Sequence, residues 1–400
     1  MVKKYKNLWQ QIVADDNIAW AYQKAKKGKS KYNAVRYIED HKEECLKEVK
    51  RLLVEQEFTT GAYKEKTIKE PKERLIYVLP FYPDRIVQHA IINVLEPIFV
   101  KMFIKDTYAC IENRGIHKGS LRIMEFVRKN KYCLKMDIRK FYPSINHNIL
   151  MQIIERKIGD KQLLRVLEDI VRSIPGEKNV PIGNLTSQWF GNLYMNELDK
   201  FIKHELKVKC YLRYCDDFAL FSNDKKQLNE AKHQIIKFLD EELKLTLSKC
   251  DLFQTSQGVD FLGYRHFKNY ILIRKSTVKR VKKRLVKVKK AYLAGKMPHD
   301  RFRSVIASTL GWFKWANSHR IQNISEILNK ELIFTGFTVN KSKVKNCDRY
   351  ITIQFREDEN SPLRVAFTAS TVLIDQFIAY ENQLPFIATI KKVNRYMTLT

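Results

Sequence analysis

Apolar residues recur at helical spacing along much of the chain. Up to about residue 57 they stand among Lys and Glu, for example at Cys45, Val49 and Leu52, which predicts amphipathic helices. DRIVQHAIINVLEPIF repeats apolar residues at helical intervals, so we expect a helix that begins near Asp84. Further helices are predicted at 145–173, from 185 to about 207, at 225–247, at 275–292 and at 299–330.

Short β-prone runs interrupt this helical pattern. KYCLKM (131–136) predicts a strand that ends at Asp137, and CYLRYCDDFALFS (210–222) predicts two strands around Cys215, Asp216 and Asp217. The latter pattern indicates a hairpin with acidic residues at its tip. A second hairpin is predicted from VDFLGYRHF (259–267) and YILIR (270–274), and strands in the last seventy residues from YITIQF, RVAFT and PFIATI.

The charge of the chain indicates a polyanionic partner. The 400 residues carry a net charge of +30 at pH 7, which favours nucleic acid over simple solubility or an anionic membrane surface. The seven cysteines are scattered without a C-x-x-C pair, so neither a disulfide framework nor a zinc cluster is predicted. With no signal peptide and no long apolar run, we expect a cytoplasmic protein without a membrane partner.

Three acidic residues stand where metal-dependent phosphoryl chemistry needs them. Asp137 follows a predicted strand, and Asp216 and Asp217 lie at a predicted hairpin tip. A single Asp in a turn is ordinary, but adjacent acids within an aromatic and apolar run repel one another and weaken a hairpin unless a cation is bound. Two divalent ions held by carboxylates are the arrangement that joins a hydroxyl to a triphosphate.

Several segments, in this order, resemble the motifs of the reverse transcriptase family. MDIRKFYPSI is similar to the first palm motif, YCDD (214–217) to the Y-x-D-D box, LTLSKCDLF to the motif with a lysine near the triphosphate, and FLGY (261–264) to the primer grip. PKERLIYVLPFYPDRIVQHAI resembles the fingers region, and DTYACIENRGIHKGS resembles the block before the palm. The resemblance covers about residues 5 to 325.

The resemblance implies roles at the metal site. Asp137 and Asp216 would be the principal ligands of two Mg²⁺ ions, with Mn²⁺ as an alternative, and Asp217 would be the third acid. The backbone carbonyl of Ile138 would assist one metal. Tyr142 would be a steric gate against a ribose 2′-hydroxyl, the alternative being ordinary core packing.

The resemblance also implies contacts to the nucleotide and the nucleic acid. Lys72 and Arg74 would hold the triphosphate, because a charge-assisted fork suits phosphate. Lys249 would protonate the leaving pyrophosphate, or is simply a solvated lysine. The residues expected to contact template and primer are Phe261, Leu262 and Gly263 of the primer-grip motif and Lys279, Lys283 and Lys287 of the basic helix.

That basic helix contains eleven Lys or Arg between residues 274 and 296. A face nearly free of acids favours contact with a duplex backbone over simple solvation. Its apolar stripe would then pack on the palm, as in a thumb. In LGWFKWAN (310–317), two tryptophans predict core packing, with base stacking as the alternative.

One motif departs from most members of the family. Where they carry Gln-Gly and then Ser-Pro, this chain has Ile182-Gly183 and Ser187-Gln188. This pattern resembles the reverse transcriptases of diversity-generating retroelements, which copy a template RNA with errors at adenines. Gly183 fits a backbone close to substrate, Gln188 belongs to the same nucleotide-side motif, and Ile182 removes a hydrogen bond of roughly 0.5–1.5 kcal/mol. Neutral drift at Ile182 is the alternative.

We therefore predict an α+β fold, a right-hand polymerase with fingers, palm and thumb. The predicted segments are an N-terminal helical segment at 1–57, fingers at 58–130, a palm at 131–268, a thumb at 269–330 and a β-rich extension at 331–400. The extension has either a structural or a binding role. The expected partners are template RNA, cDNA or primer, deoxynucleotide triphosphates and a small basic accessory variability protein.

The alternatives share some or none of this chemistry. A retron or group II intron-like enzyme would perform the same reaction in another system, although no maturase-like or endonuclease segment is evident. A phage-defence polymerase would make untemplated DNA. A non-enzymatic RNA-binding scaffold would not need the acids at Asp137, Asp216 and Asp217.

Overall fold

The computed structural model describes residues 4–68, 73–316, 321–323, 327–341, 349–361, 364–393 and 396–400. Two compact units divide the chain. The first contains Met1–Leu262 and His266–Asn269, and the second contains Gly263–Arg265 and Tyr270–Thr400. Within the described residues, every helix is too short or too polar to cross a lipid bilayer.

Eleven α-helices and six strands form most of the described part of the first unit. The helices are α1 Trp9–Ile12, α2 Asp15–Lys26, α3 Asn33–Asp40, α4 Lys42–Val54, α5 Ile86–Met102, α6 Gly115–Lys129, α7 Phe141–Ser144, α8 His147–Glu155, α9 Lys161–Val171, α10 Leu185–Lys200 and α11 Lys225–Glu241. The strands are β1 Lys64–Ile68, β2 Arg74–Val78, β3 Tyr132–Ile138, β4 Cys210–Tyr214, β5 Asp217–Ser222 and β6 Leu247–Gln254. Short π-helical turns, Phe81–Arg85 and Phe201–Glu205, precede α5 and follow α10.

A four-stranded antiparallel sheet, which we call the central sheet, organises this unit. Its strand order is β4-β5-β3-β6. Cys133, Leu134, Met136 and Ile138 of β3 are buried, because helices and loops cover both faces of the strand. Lys135 and Asp137 are the partly exposed positions between them. The strand is therefore fixed by its core residues, and its two charged residues stand on one face.

The structure corrects the predicted run of helix at 145–173. The run is two helices, α8 and α9, separated by residues 156–160. Asp160 caps α9 by accepting a hydrogen bond from the backbone N–H of Leu163 at 3.3 Å. The connecting segment pairs with the N-terminal residues, since the N–H of Tyr5 donates to the carbonyl of Lys157 at 2.7 Å.

Other predicted boundaries also shift. The helix predicted to reach 247 ends at Glu241, because LSKCDLFQ pairs with β3 as strand β6. The second predicted hairpin is three short strands, β7 Val259–Phe261, β8 Tyr264–His266 and β9 Ile271–Ile273.

The second unit has its own helices and its own core. α12 is Lys275–Leu293, and α13 is His299–Trp315 rather than a helix to 330. A six-stranded sheet has the order β10-β13-β12-β11-β14-β15. These strands are β10 Ile321–Asn323, β11 Glu331–Lys341, β12 Arg349–Arg356, β13 Arg364–Thr368, β14 Phe386–Val393 and β15 Tyr396–Leu399.

Helix α14, Thr371–Ala379, covers one face of this sheet. Ile351, Ile353 and Phe355 alternate along β12 as buried positions and share one core with Leu373 and Phe377 of the helix. The strands of this sheet that YITIQF, RVAFT and PFIATI predict are present, whereas helix α14 was not predicted, although its buried residues Leu373, Ile374 and Phe377 lie at helical spacing.

Candidate active site

The central sheet brings the three predicted acids to one end. In the antiparallel register, the Cα of Asp137 lies opposite Asp217. Tyr214 of β4 pairs with Asp217 of β5, so Cys215 and Asp216 form the tight turn between them. Cys215 has a left-handed φ of +55°, which this turn requires. The predicted hairpin with acids at its tip is thus present, and Asp137 is beside it.

The three carboxylates influence one another. The pKa of Asp216 is raised to about 6, mainly because burial penalises its charged form. The negative charges of Asp137 and Asp217 raise it further, whereas a backbone hydrogen bond and the positive charge of Arg74 lower it. Three negative charges therefore lie close together in a half-buried site. A bound divalent cation would offset their mutual repulsion.

The donor set fits magnesium. Carboxylate oxygens are the hard ligands that Mg²⁺ prefers, and Asp137, Asp216 and Asp217 supply them from two adjacent strands. In the described residues no three His, Cys, Asp or Glu side chains are already gathered as a chelating group. Instead, the Asp137 carboxylate accepts a hydrogen bond from the Ser248 hydroxyl, and Asp217 Oδ1 lies 3.6 Å from Lys135 Nζ.

Tyr142 lies at the same end of the sheet. Burial raises the pKa of its phenol, and the charges of Cys215, Cys110 and Asp216 add to the effect. Its ring also packs on α10, since a Cβ at Gly191 would lie 3.2 Å from Tyr142 Cε1. The position agrees with both interpretations of this residue, core packing and steric gate, and the gate stays a prediction.

The residues predicted to contact the nucleotide differ in their positions. Arg74 of β2 is close enough to lower the pKa of Asp216. Lys249 is exposed, and its Cα lies opposite Asp137 across the β3–β6 pair. Lys72 lies outside the described residues. Gln188 is exposed in the first turn of α10, so its role is a prediction.

The segment around Ile182 is fixed to the β1–β2 hairpin. The Ile182 carbonyl accepts a hydrogen bond from the N–H of Tyr77 at 2.8 Å. Gly183 has φ +131°, and a Cβ there would lie 2.3 Å from the Tyr77 carbonyl oxygen. The protein's own strand β2 therefore makes a close approach that requires glycine, and the contact of Gly183 with the nucleotide stays a prediction. Asn184 Nδ2 also donates to the Tyr63 hydroxyl at 2.8 Å.

A buried ion pair supports the acidic turn from behind. Arg213 and Asp199 are both fully buried. Arg213 Nε and Nη2 donate to the two carboxylate oxygens of Asp199 at 2.8 and 2.6 Å. Arg213 Nη1 donates at 3.0 Å to Asn192 Oδ1 and at 3.0 Å to the carbonyl of Cys215, so the pair reaches the turn that carries Asp216.

The remaining acceptor positions of this network are also occupied. The hydroxyls of Tyr211 and Thr107 donate to Asp199 at 2.6 and 3.1 Å. The sequence analysis missed these residues. The available signal was an arginine in the middle of an otherwise apolar strand, CYLRY, which needs a buried counter-ion if that strand is internal.

Lys135 is a second residue that the sequence analysis missed. Its Nζ donates to the Asp260 carbonyl at 2.9 Å, lies 3.6 Å from Asp217 Oδ1 and stands 5.4 Å from the centre of the Phe261 ring. Lys135 thus joins one of the predicted metal ligands to β7. Its position two residues before Asp137 on the same strand face was the available signal.

The predicted template–primer residues fall on both units. Phe261 is buried, and Leu262 has a left-handed φ of +54°. Gly263 has φ +85°, and a Cβ there would lie 2.9 Å from Trp312. Lys279, Lys283 and Lys287 are exposed on α12. Trp312 stacks on Tyr264 with ring centres 5.3 Å apart, which favours packing over base stacking.

Comparisons with known proteins show the family of the chain. Residues 40–266 match the family described as reverse transcriptase (RNA-dependent DNA polymerase), and residues 320–400 match a domain of unknown function. Protein YkfC of Escherichia coli strain K12 is 23% identical, over 47% of this chain and 61% of that protein. Retron Ec73 reverse transcriptase of Escherichia coli is 28% identical, over 38% of this chain and 52% of that protein.

Among solved structures, an apo telomerase from Candida tropicalis matches with a TM-score of 0.42 at 14% identity, covering 55% of each chain. The chain thus spans little more than half the length of the curated relatives named above. The family match covers more than half of this chain, and the chain belongs to the reverse transcriptase family. The expected right-hand polymerase fold, with mixed helix and sheet and a β-rich C-terminal region, is confirmed.

Proposed function

We propose that this protein is an RNA-directed DNA polymerase that uses two magnesium ions bound by Asp137, Asp216 and Asp217. The observation that carries the proposal is the strand register, which places Asp137 opposite Asp217 with Asp216 on the adjoining turn. Bound magnesium would neutralise the charge that develops on the phosphorus oxygens during transfer. Family membership supports template-directed synthesis as the reaction.

Three further residues would contact the nucleotide or a metal ion. Arg74 is placed to contact the triphosphate, since its charge already acts on Asp216. Tyr142 lies against α10 beside the acids, where its ring would exclude a ribose 2′-hydroxyl. The Ile138 carbonyl follows Asp137 directly and would add one more oxygen ligand to a metal.

Primer extension on an RNA template tests the polymerase proposal. Asp137→Asn and Asp216→Asn keep the shape of the side chains and remove a metal ligand, so we expect DNA synthesis to fall by at least about a thousandfold. Lys42→Ala, on the exposed surface of α4, is the matched control for handling and folding. Wild-type protein that makes no DNA with magnesium, primed RNA and all four nucleotides would contradict the proposal.

We further propose that the enzyme is the error-prone reverse transcriptase of a diversity-generating retroelement. The support is the Ile182-Gly183 and Ser187-Gln188 pattern, together with the position of Ile182 on a loop held against β2. An isoleucine there provides no side-chain hydrogen bond, and a loss of roughly 0.5–1.5 kcal/mol would reduce base discrimination by up to about tenfold. Template RNA and a small basic accessory variability protein would be its partners.

The error spectrum separates this assignment from its alternatives. Ile182→Gln should lower misincorporation opposite template adenines and leave errors at other bases unchanged, as measured by sequencing the extension products. An unchanged spectrum would favour the second candidate, a retron-type enzyme. The specific observation for that candidate is the 28% identity with retron Ec73 reverse transcriptase over 167 residues.

A further inference from the structure

A basic pocket lies at the other end of strand β3 from the acids. Its volume is about 470 Å³. Four of its eleven lining residues are cations, Arg128, Lys129, Lys131 and Lys268, and none of the eleven is an aspartate or glutamate. All of them belong to the first unit. A concave surface with this composition favours an anionic ligand.

The backbone that forms the pocket is held in place by two polar side chains. Asn223 accepts a hydrogen bond from the Lys131 N–H at 3.0 Å and donates to the Lys129 carbonyl at 3.1 Å. Thr255 donates through its hydroxyl to the Asn130 carbonyl at 2.7 Å and through its N–H to the Lys131 carbonyl at 2.9 Å. The loop between α6 and β3 is therefore preorganised.

These hydrogen bonds also change the electrostatics of the pocket. The C-terminus of a helix normally presents unpaired carbonyl oxygens, which repel an anion. Here, the carbonyl of Lys129, the last residue of α6, accepts from Asn223, and the carbonyls of Asn130 and Lys131 just beyond the helix accept from Thr255. The charged side chains that line the pocket are all cations. Lys129 pairs with Glu125 at 2.9 Å, whereas neither Lys131 nor Lys268 has an ion pair among the described residues.

The pocket is too far from the acids to be part of the nucleotide site. Tyr132 lines it, and Asp137 is five residues further along the same strand. With a rise of about 3.4 Å per residue, the two ends are about 17 Å apart. A ligand there would have to be a group on a polymer that also reaches the active site, or an independent molecule.

We propose that this pocket binds a backbone phosphate of the RNA at a point remote from the catalytic acids, as a second contact that retains the template RNA. The proposal rests on the proposed function for the identity of the polymer. Its physical basis is the acid-free lining, the two unpaired lysines and the preorganised loop. Phosphate contacts of this kind hold the RNA without reading its sequence.

The test is RNA binding by the double variant Lys131→Ala/Lys268→Ala. Two probes are compared, a short primer–template limited to the active-site end and the same primer–template with a long single-stranded RNA arm. The matched control is Lys42→Ala/Lys47→Ala on α4, which removes the same charge from exposed positions. Lys131 and Lys268 are exposed side chains, so the fold should be unaffected.

We expect the double variant to bind the long-armed probe about three- to tenfold more weakly than the control does, and to bind the short probe equally well. The slope of log affinity against log salt for the long-armed probe should become shallower by about 1. Equal affinity of the double variant and the control for the long-armed probe would overturn the proposal. So would equal weakening of both probes. Extension of the short primer–template by the double variant reports separately on the polymerase proposal.

Discussion

Two groups of charged side chains lie in or against the central sheet and have opposite environments. Arg213 and Asp199 are fully buried, and each charge has several hydrogen-bond partners. Asp137, Asp216 and Asp217 are only partly buried and repel one another. In the first group, every charge is already satisfied by hydrogen bonds within the protein. In the second group, repulsion between the carboxylates lowers the stability of the fold unless a cation is bound. A closed network of this kind is structural, whereas the acidic group is the site proposed to bind metal.

Breaking the closed network should have the largest effect on stability. Asp199→Asn leaves Arg213 buried with a neutral partner, and removal of one member of a buried pair costs about 3–5 kcal/mol. Urea denaturation monitored by circular dichroism would measure the loss. A variant with stability near that of wild type would contradict the structural role of the pair. Arg213→Met should behave similarly, because it leaves the carboxylate without its counter-ion.

Of the two groups, Lys135 contacts only the acidic one, through Asp217, and its loss should give an intermediate effect. Lys135→Met removes the charge beside Asp217 and the donor to the Asp260 carbonyl. We expect kcat of primer extension to fall about tenfold, which corresponds to about 1.4 kcal/mol of activation free energy, with the nucleotide KM unchanged.

The readouts for Lys135 separate positioning from folding. Lys135→Arg keeps the charge and should recover part of the lost kcat. The thermal midpoint of Lys135→Met should stay close to that of wild type. A fall of the midpoint in proportion to activity in both variants would show that Lys135 acts only through the fold.

Neutralising Asp216 should stabilise the metal-free protein. Because the pKa of Asp216 is raised from 3.8 to about 6, its ionised form opposes folding at pH 7. Asp216→Asn should therefore gain about 1 kcal/mol in the presence of a chelator, after allowance for solvent screening. The folded wild type takes up this proton near pH 6 and the unfolded chain only near pH 4, so the advantage should shrink by pH 5. Urea titrations at both pH values measure it, and a destabilised variant would contradict it.

Removing Arg51 from a cluster of surface ion pairs should have the smallest effect on stability. Arg51 contacts Glu48, Glu55 and Glu57 on the exposed face around α4, where water and salt screen the attraction. Arg51→Ala should leave the urea midpoint within experimental error of wild type. A loss comparable with that of Asp199→Asn would show that burial is not what separates these charge sites.

Much of the site was predictable because its signals are local. Strand β3, the β4–β5 hairpin and the acids at their ends follow from alternating apolar residues and from a turn with acidic residues. The boundaries were less predictable where a tertiary contact overrides the local pattern. The helix predicted at 225–247 ends at Glu241, and Leu247–Gln254 is strand β6, which pairs with β3 along its length. Helix α14 was missed although its buried residues, Leu373, Ile374 and Phe377, lie at helical spacing.

The roles of particular residues show the same division. Gly183 was singled out for an approach to substrate, which stays a prediction, and the Tyr77 carbonyl is a second reason for a glycine there. Arg213 was not predicted as a site residue, because its acidic counter-ion cannot be recognised from the sequence near it. Asp199 lies on α10, fourteen residues earlier, and only the packing of α10 against the sheet brings the two together.

The sequence by itself determined the order of the motifs, the identity of the three acids and the local elements that carry them, because periodicity and turn chemistry act over a few neighbouring residues. Only the tertiary structure decided that Asp137 faces Asp217, that Arg213 is buried on Asp199, and that lysines far apart in sequence line one pocket. These pairings join residues that are fourteen or more positions apart, and strand register and helix packing, which local sequence does not specify, bring them into contact.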